Sequence, residues 1–403
     1  MKQQIGKKGL AILLFMAVFF CCLSGCALQP VQENLTITGF AFDTTYTITL
    51  YEGGTQEILD SCVEKCSSYE RIFSRTSEGS ELYQINEIEE IYLEKVMLDL
   101  TKSTLEMIPE QNKEAGNDIG EYRYSEKSLA EIARFIEGKK PENNTIDYEI
   151  YKDGSISFQL SDELYRIIAK GLEYSKASEG RFDITVEPLT SLWDFKAENP
   201  AVPEKVAVEA ALQQVGYEKL SLSEKVLRIS EPGVGLDLGG IAKGFIADDL
   251  KAYLMEQGVT GATINLGGNL LCIGGKNEKE AFHIGIQQPF ADRNETIAAV
   301  KVKDFSVVSS GIYERYFKTE DGILYHHILD PRTGYSYEND LLGVTILSEK
   351  SVDGDALSTT CFAMGKEKGI AYVNSLDDVY ALFITKDEKL WYSKGFEAFL
   401  LDS

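Results

Sequence analysis

The chain has 403 residues, 44% of them apolar and 26% charged, the balance of a folded globular body rather than a disordered or membrane-filling one. Its formal net charge is −24. So acidic a surface repels polyanions, which excludes the simplest nucleic-acid-binding and anionic-lipid-binding functions and means that an anionic small molecule needs local donors or a cation to bind.

The first 26 residues read as a targeting segment rather than as fold. "MKQQIGKKG" is basic, "LAILLFMAVFFCCL" is apolar but shorter than the ~20 residues of a membrane span, and "LSGC" follows at Leu23–Cys26. Small residues directly before a cysteine resemble a bacterial lipobox. Residues 1–25 are then a lipoprotein signal peptide, and residues 26–35 are a lipidated Cys26 with a short polar tether. The mature protein is expected on the extracytoplasmic side of the bacterial cell membrane. The other reading is a plain signal peptide that happens to hold cysteines. Cys62 and Cys66, four apart on an expected helix, are poorly placed to bond each other, and Cys272 and Cys361 sit in apolar runs as small core residues.

Along the body, "TITGFAFDTTYTITLY" (36–51) alternates Thr with apolar residues and predicts one or two strands. A helix is expected over 55–73, with Ile58, Cys62, Cys66 and Tyr69 on one face, then a polar loop, "SRTSEGSELYQIN", leading into a short helix. Residues 88 to about 155 are charge-rich and the least legible. "SDELYRIIAKGLEYSKASEG" (161–180) predicts a helix with a Ser cap, an acidic first turn and a terminal glycine. Beyond it strands and helices alternate. "GLDLGG" reads as a strand end, "IAKGFIADDLKAYLMEQ" as a helix closed by Gly258, and "GATINLGGNLLCIGG" as a strand with paired glycines. "AFHIGIQQP" and "VVSSG" follow, "LYHHILD" and "LGVTIL" are expected as a strand pair before a helix at Asp355, and "VYALFIT" with "LWYSKGF" predicts a closing hairpin. The fold class is α+β.

Four stretches have the residue types of a reactive site. In "DLGGIAKGF" (237–245), glycines at a strand-to-helix junction suit phosphate, and Lys243 either faces that phosphate or reaches solvent; the pattern is neither a P-loop nor G-x-G-x-x-G. "HHILDPRTGY" holds two of the three histidines, His326 and His327, whose side chains point opposite ways if the pair lies in a strand, so one of them can serve as a base or ligand contact. Asp330-Pro331 opens a turn that Gly334 can complete. In "DGDALSTT", Asp355 and Thr359 stand four apart and share a helix face, either as a carboxylate–hydroxyl pair for Mg²⁺ or as a capping Asp with a back-bonding Thr. "GRFDITVEPLTSLWDF" (180–195) offers an Asp in an apolar setting, a turn begun at Pro188 and Trp193, for ring binding or for core packing.

These segments, with "AFDTTYTIT", "FSRTSEGSELYQIN", "NLGGNL" and "SSGIYERYF", occur in the order and spacing of the ApbE family, the FAD:protein FMN transferases, over roughly residues 36–400. The resemblance implies an ApbE-type body of packed sheets and helices over 36–403, with residues 88 to about 155 as an insertion that carries no catalytic residue. It implies that Mg²⁺ is held by Asp355 and Thr359 with carbonyls of Gly240 and Ser358, and that FAD is contacted near Phe42, Thr76, Arg181, Phe182, Asp183, Asp237, Lys243 and His327. His327 or Asp355 would take the acceptor's proton as FMN passes to a Ser or Thr of a target protein and AMP leaves. Phe42-Asp43-Thr44 departs from the family's usual Met-Gly-Thr, and Thr76 stands where an aromatic ring often lies. Two other readings keep the same pocket: a pyrophosphatase that splits FAD into FMN and AMP, and a non-catalytic flavin-binding surface lipoprotein.

Overall fold

The computed structural model describes residues 34–102, 108–109, 122–277, 280–292 and 294–401. The expected signal peptide and Cys26 lie outside the described residues. From Leu35 onward the chain forms one contact unit.

Strands β1 (Leu35–Ala41) and β2 (Thr44–Glu52) form a hairpin. Its two-residue turn, Phe42-Asp43, has φ of 56° and 57°, the left-handed pair that matches the twist of flanking strands. Helix α1 (Gln56–Phe73) starts at a Thr55 cap whose hydroxyl accepts from Ile58 N, and it buries Leu59, Cys62, Cys66, Tyr69 and Phe73. Helix α2 (Glu81–Lys102) follows and is 22 residues long, not short. Its Leu82, Ile85, Ile88 and Tyr92 recur at helical spacing and are fully buried, so the start of the charge-rich stretch belongs to the core instead of the surface.

Short strands β3 (Ile108–Pro109) and β4 (Tyr122–Arg123) pair, then come α3 (Glu126–Lys139), β5 (Tyr148–Ile150) and β6 (Ile156–Gln159). Helix α4 (Asp162–Ala177) is capped by the Ser161 hydroxyl, which accepts from Leu164 N, and it is followed by Gly180 in the left-handed region. Pro188 sits in the first turn of helix α5 (Glu187–Trp193), so it opens a helix and not a free turn. Helix α6 (Lys205–Leu212) and strands β7 (Leu220–Ser223) and β8 (Val226–Ile229) lead to residues 234–238, which belong to no helix or sheet. The strand expected at "GLDLGG" is therefore absent; Asn86 of α2 instead bonds both the N–H and the C=O of Leu236.

Helix α7 (Ala242–Glu256) is followed by β9 (Gly261–Leu266) and β10 (Asn269–Ile273), a hairpin where one strand was expected. Gly267 and Gly268 take positive φ at its turn. Strands β11 (Phe282–Gln287), β12 (Thr296–Val302), β13 (Ser306–Gly311), β14 (Tyr316–Lys318), β15 (Leu324–His326) and β16 (Leu341–Ser348) precede helices α8 (Ser351–Met364) and α9 (Lys366–Val373). The predicted closing hairpin is β17 (Val379–Thr385) with β18 (Leu390–Tyr392).

The main sheet is antiparallel throughout, in the order β1-β2-β9-β10-β13-β16-β17-β18, with a smaller sheet β5-β6-β8-β7 beside it. "LYHHILD" and "LGVTIL" fall in different sheets, because β15 pairs with β14 while β16 lies between β13 and β17. All eight residues of β16 are buried. The fold is the expected α+β class. Among the described residues, no helix is long and apolar enough to cross a membrane.

Candidate functional site

The site begins where α7 and α8 meet. Gly244, in the first turn of α7, has no room for a side chain: a Cβ there would lie 2.3 Å from Ser351 O and 2.6 Å from Val352 Cα. Glycine thus lets the two backbones touch, and the contact brings Asp355 of α8 to the start of α7. Asp355 is not the capping residue that one reading allowed, since α8 begins at Ser351. Its Oδ2 instead accepts from Gly244 N at 2.9 Å, answering one of the four N–H groups that a helix start leaves without partners. Its Oδ1 lies 3.9 Å from Lys243 Nζ, which also donates to Gly239 O at 3.1 Å. Asp355 is 5% exposed.

One turn along α8, Thr359 Oγ1 lies 3.2 Å from Ser310 Oγ of β13, and Ser310 Oγ is 2.7 Å from Ser358 Oγ. The Ser358 hydroxyl is fully buried and donates to Asp355 O at 2.8 Å, so its side chain serves packing. Among the described residues no three His, Cys, Asp or Glu side chains converge as a metal cluster. A cation here would be held by one carboxylate oxygen plus hydroxyl and carbonyl oxygens, a hard donor set that suits Mg²⁺ with phosphate oxygens completing the shell. Gly240, the expected carbonyl donor, ends the turn that leads into α7 and packs beneath Phe182.

The two histidines face different ways. His326 is buried edge-on against Phe362, with Nε2 3.1 Å from Tyr337 O and Nδ1 accepting from Ile328 N at 3.3 Å. A carbonyl can only accept and an amide N–H can only donate, so Nε2 carries the single proton. Burial pushes this imidazole down to about 4. His327, just past β15, is half-buried, and its Nδ1 lies 3.3 Å from Arg315 O, which leaves Nε2 as the free acceptor. Burial, and then the charges of Arg315 and Lys243 among its neighbours, push it down to about 3. A neutral imidazole near Lys243 can accept a proton, and phosphates placed beside it would make it a stronger base.

The remaining expected contacts divide. Asp237 accepts from Gly239 N and from Thr190 Oγ1, and it pairs with Arg75 Nε at 3.1 Å. That pair draws the exposed loop of Thr76 to Asp237. Phe42 is at the hairpin tip, where its N–H donates to Glu70 at 2.7 Å and Lys196 pairs with neighbouring Asp43. Arg181 donates to Ser178 O and to Glu179, and its own carbonyl accepts from Tyr337. Phe182 is buried against Tyr174. Asp183 spends its carboxylate internally, on Thr185 N, Thr185 Oγ1 and Tyr217 N. Trp193 is buried, stacked on Phe195 and bonded to Gly334 O, so of its two readings core packing is the one seen.

Arg75, Gly244, Asp248 and Ser310 are site neighbours that sequence reasoning did not single out. Each acquires its role from a partner far along the chain; for Gly244 the separation is 111 residues.

The family model described as "ApbE family" matches residues 42–383. An FAD:protein FMN transferase of Klebsiella pneumoniae is 38% identical over 233 residues, covering 57% of this chain and 72% of the relative. One from Treponema pallidum is 34% identical, covering 60% and 71%. The solved structure of an ApbE protein from Thermotoga maritima superposes with a TM-score of 0.67 at 26% identity, over 92% of this chain and all of that one. The flavin transferase ApbE of Vibrio cholerae has the same TM-score at 22% identity, over 91% and 99%, which speaks to the fold.

Proposed function

The chain belongs to the ApbE family and is a flavin transferase, and we propose that it moves FMN from FAD to a Ser or Thr hydroxyl of a protein acceptor with Mg²⁺ seated at Asp355 and Thr359. The observation that carries this reading is the junction of α7 and α8. There a carboxylate oxygen and, one helical turn on, a hydroxyl offer hard donors to a cation, while a lysine ammonium stands at a glycine turn and a helix start suited to a diphosphate.

A bound Mg²⁺ would neutralise phosphate charge and make the phosphorus a better electrophile. This chain's own residues do the rest. Lys243 draws the diphosphate to the start of α7, where helix N–H groups favour anions. Gly244 N holds Asp355 Oδ2, so that only Oδ1 is offered to a cation. His327 Nε2 takes the proton of the acceptor hydroxyl, because its Nδ1 is engaged with Arg315 O and Asp355 is already committed. The acceptor oxygen bonds to the phosphorus of the FMN half, the P–O bond to the AMP half breaks, and AMP leaves with the electron pair. Asp237, steadied by Arg75, Thr190 and Gly239 N, and the backbone around Arg181–Asp183 shape the nucleotide's surroundings.

The location follows from the sequence. The basic start, the apolar stretch and "LSGC" support a signal peptide of residues 1–25 and a lipidated Cys26 that tethers the enzyme to the outer side of the cell membrane.

The test is mass spectrometry of an acceptor protein after incubation with the purified chain, FAD and Mg²⁺. An FMN-sized adduct on Ser or Thr is expected, and EDTA or Asp355→Ala should abolish it. Undiminished transfer in EDTA would overturn the cation assignment. AMP release that needs no acceptor would mark a pyrophosphatase instead.

A further inference from the structure

Asp248, a site neighbour, has no part in the transfer reaction described above. It lies on α7, one turn beyond Gly244, and reaches across to the start of α8. Its Oδ1 accepts from Ser351 N at 2.8 Å and its Oδ2 from Val352 N at 2.9 Å. The residue before α8, Lys350, makes no side-chain cap. Asp248 supplies one from another helix, as Asp355 does in the opposite direction for α7. The two helices therefore cap each other, across a contact that only a glycine at 244 permits.

We propose that Asp248 is a positioning residue for flavin transfer, which fixes Asp355 and Thr359 relative to Lys243 by gripping the first turn of α8. The proposal rests on the cation reading given above. Asp355 lies four residues from Ser351, about 6 Å along the helix, so a slip of the first turn carries straight to Asp355 and then to Thr359. The bond from Gly244 N meets α8 at Asp355, beyond its first turn, and so does not itself hold the helix start. The two bonds from Asp248 fix the backbone of that start directly. A carboxylate is the right group, because a helix N-terminus carries partial positive charge and orphan N–H donors. Burial lifts the Asp248 carboxyl to about 6, still ionised at neutral pH; its charged neighbours are Lys251 on α7, which favours the anion, and Asp353 on α8, which opposes it. Ser351 is held independently, through its hydroxyl, by Asn269 Oδ1 at 2.6 Å, so the start of α8 retains an anchor when Asp248 is changed.

The experiment compares the full mature chain with Asp248→Asn. The amide keeps the shape but sets a donor against one of the two N–H groups. Mn²⁺ binding is read by electron paramagnetic resonance with FAD present and acceptor absent. FAD binding is read in EDTA by flavin fluorescence. The half-saturating Mn²⁺ concentration should rise about tenfold, as when a group supporting a metal ligand is lost, while FAD affinity in EDTA changes less than twofold. If Asp248→Asn does not fold, Asp248→Ser, whose hydroxyl can still accept one bond, is read the same way. Mn²⁺ binding like wild type in the folded variant, whatever its melting temperature, overturns the role of Asp248 alone. Failure of Mn²⁺ to bind the wild-type chain, with transfer intact in EDTA, overturns the cation reading and this proposal with it.

Discussion

Gly244→Ala should damage transfer far more than stability, and the structure says by how much. The added Cβ would sit 2.3 Å from Ser351 O and 2.6 Å from both Ser351 C and Val352 Cα, against an ordinary contact of 3.4 Å or more. All three are backbone atoms, so no rotamer change relieves the clash and α7 and α8 must part by about 1 Å. Overpacking of this kind costs ~1–3 kcal/mol, while alanine returns ~1 kcal/mol of helix propensity, which leaves a net loss of about 0–2 kcal/mol. The same displacement stretches the Gly244 N–Asp355 bond from 2.9 Å to beyond hydrogen-bonding reach. Misplacement of a reacting constellation by that distance costs roughly 100-fold in rate. Gly138 of α3 is the control, since a Cβ there meets nothing within 4 Å. Gly138→Ala should gain a few tenths of a kcal/mol to ~1 kcal/mol and leave transfer unchanged. Melting temperature and the rate of acceptor flavinylation, measured on both variants, decide the matter. Transfer by Gly244→Ala at the wild-type rate would refute the helix-contact argument.

Three further outcomes are expected. Lys243→Ala should raise the FAD concentration for half-maximal rate about tenfold, with the saturated rate within a few-fold; an unchanged FAD dependence would mean that Lys243 makes no phosphate contact. Glu89 is buried on α2, with Oε2 bonded to Gly233 N and Oε1 without a partner, and burial pushes its carboxyl up to about 8. A raised carboxyl stabilises the fold fully below the unfolded value near 4.5, and that stability is lost as pH rises through 8. Glu89→Gln should therefore gain on wild type by on the order of a few kcal/mol between pH 5 and pH 9 in urea unfolding, and parallel pH curves would refute it. His326 titrates the other way. The unfolded chain binds its proton near pH 6.5, whereas the folded one refuses it until about 4, so stability is lost as pH drops from 6.5 to 4. His326→Gln should flatten the fall in the same assay, and an unchanged slope would count against it.

How much of this was legible in the sequence depended on whether a partner lay nearby. Thr55 and Ser161 cap their helices through residues three positions on; the Ser161 cap was read as one, and Thr55 was read as the start of its helix. The length of α2 was missed for a local reason: glutamates crowd around Ile85, Ile88 and Tyr92 and mask their helical spacing, and one of them, Glu89, is itself buried. "GLDLGG" reads as a strand end because its leucines alternate with a polar residue before a glycine pair. The N–H and C=O of its Leu236 instead go to a side chain 150 residues away, Asn86, which no local pattern announces. The candidate site divides in the same way. Asp355 and Thr359 share a face by helical arithmetic alone, whereas Ser310 meets Thr359 across 49 residues and Asp248 meets Ser351 across 103.

Those long-range bonds also answer how so acidic a chain can accept a diphosphate. Each carboxylate around the junction is already answered by this chain's own donors. Asp355 has Gly244 N and Lys243, Asp237 has Arg75, Thr190 and Gly239 N, Asp248 has the start of α8, and Asp353 has Tyr174 and Lys170. A charge so paired presents little field to a ligand, and the unpaired acidic surface beyond is screened within ~8 Å at physiological salt. The net charge of −24 therefore acts on what comes close to the body's surface and not on what the junction holds. What the junction binds is set by the local arrangement of a lysine, a helix start and one carboxylate oxygen, Asp355 Oδ1, that is ion-paired at 3.9 Å but not hydrogen-bonded.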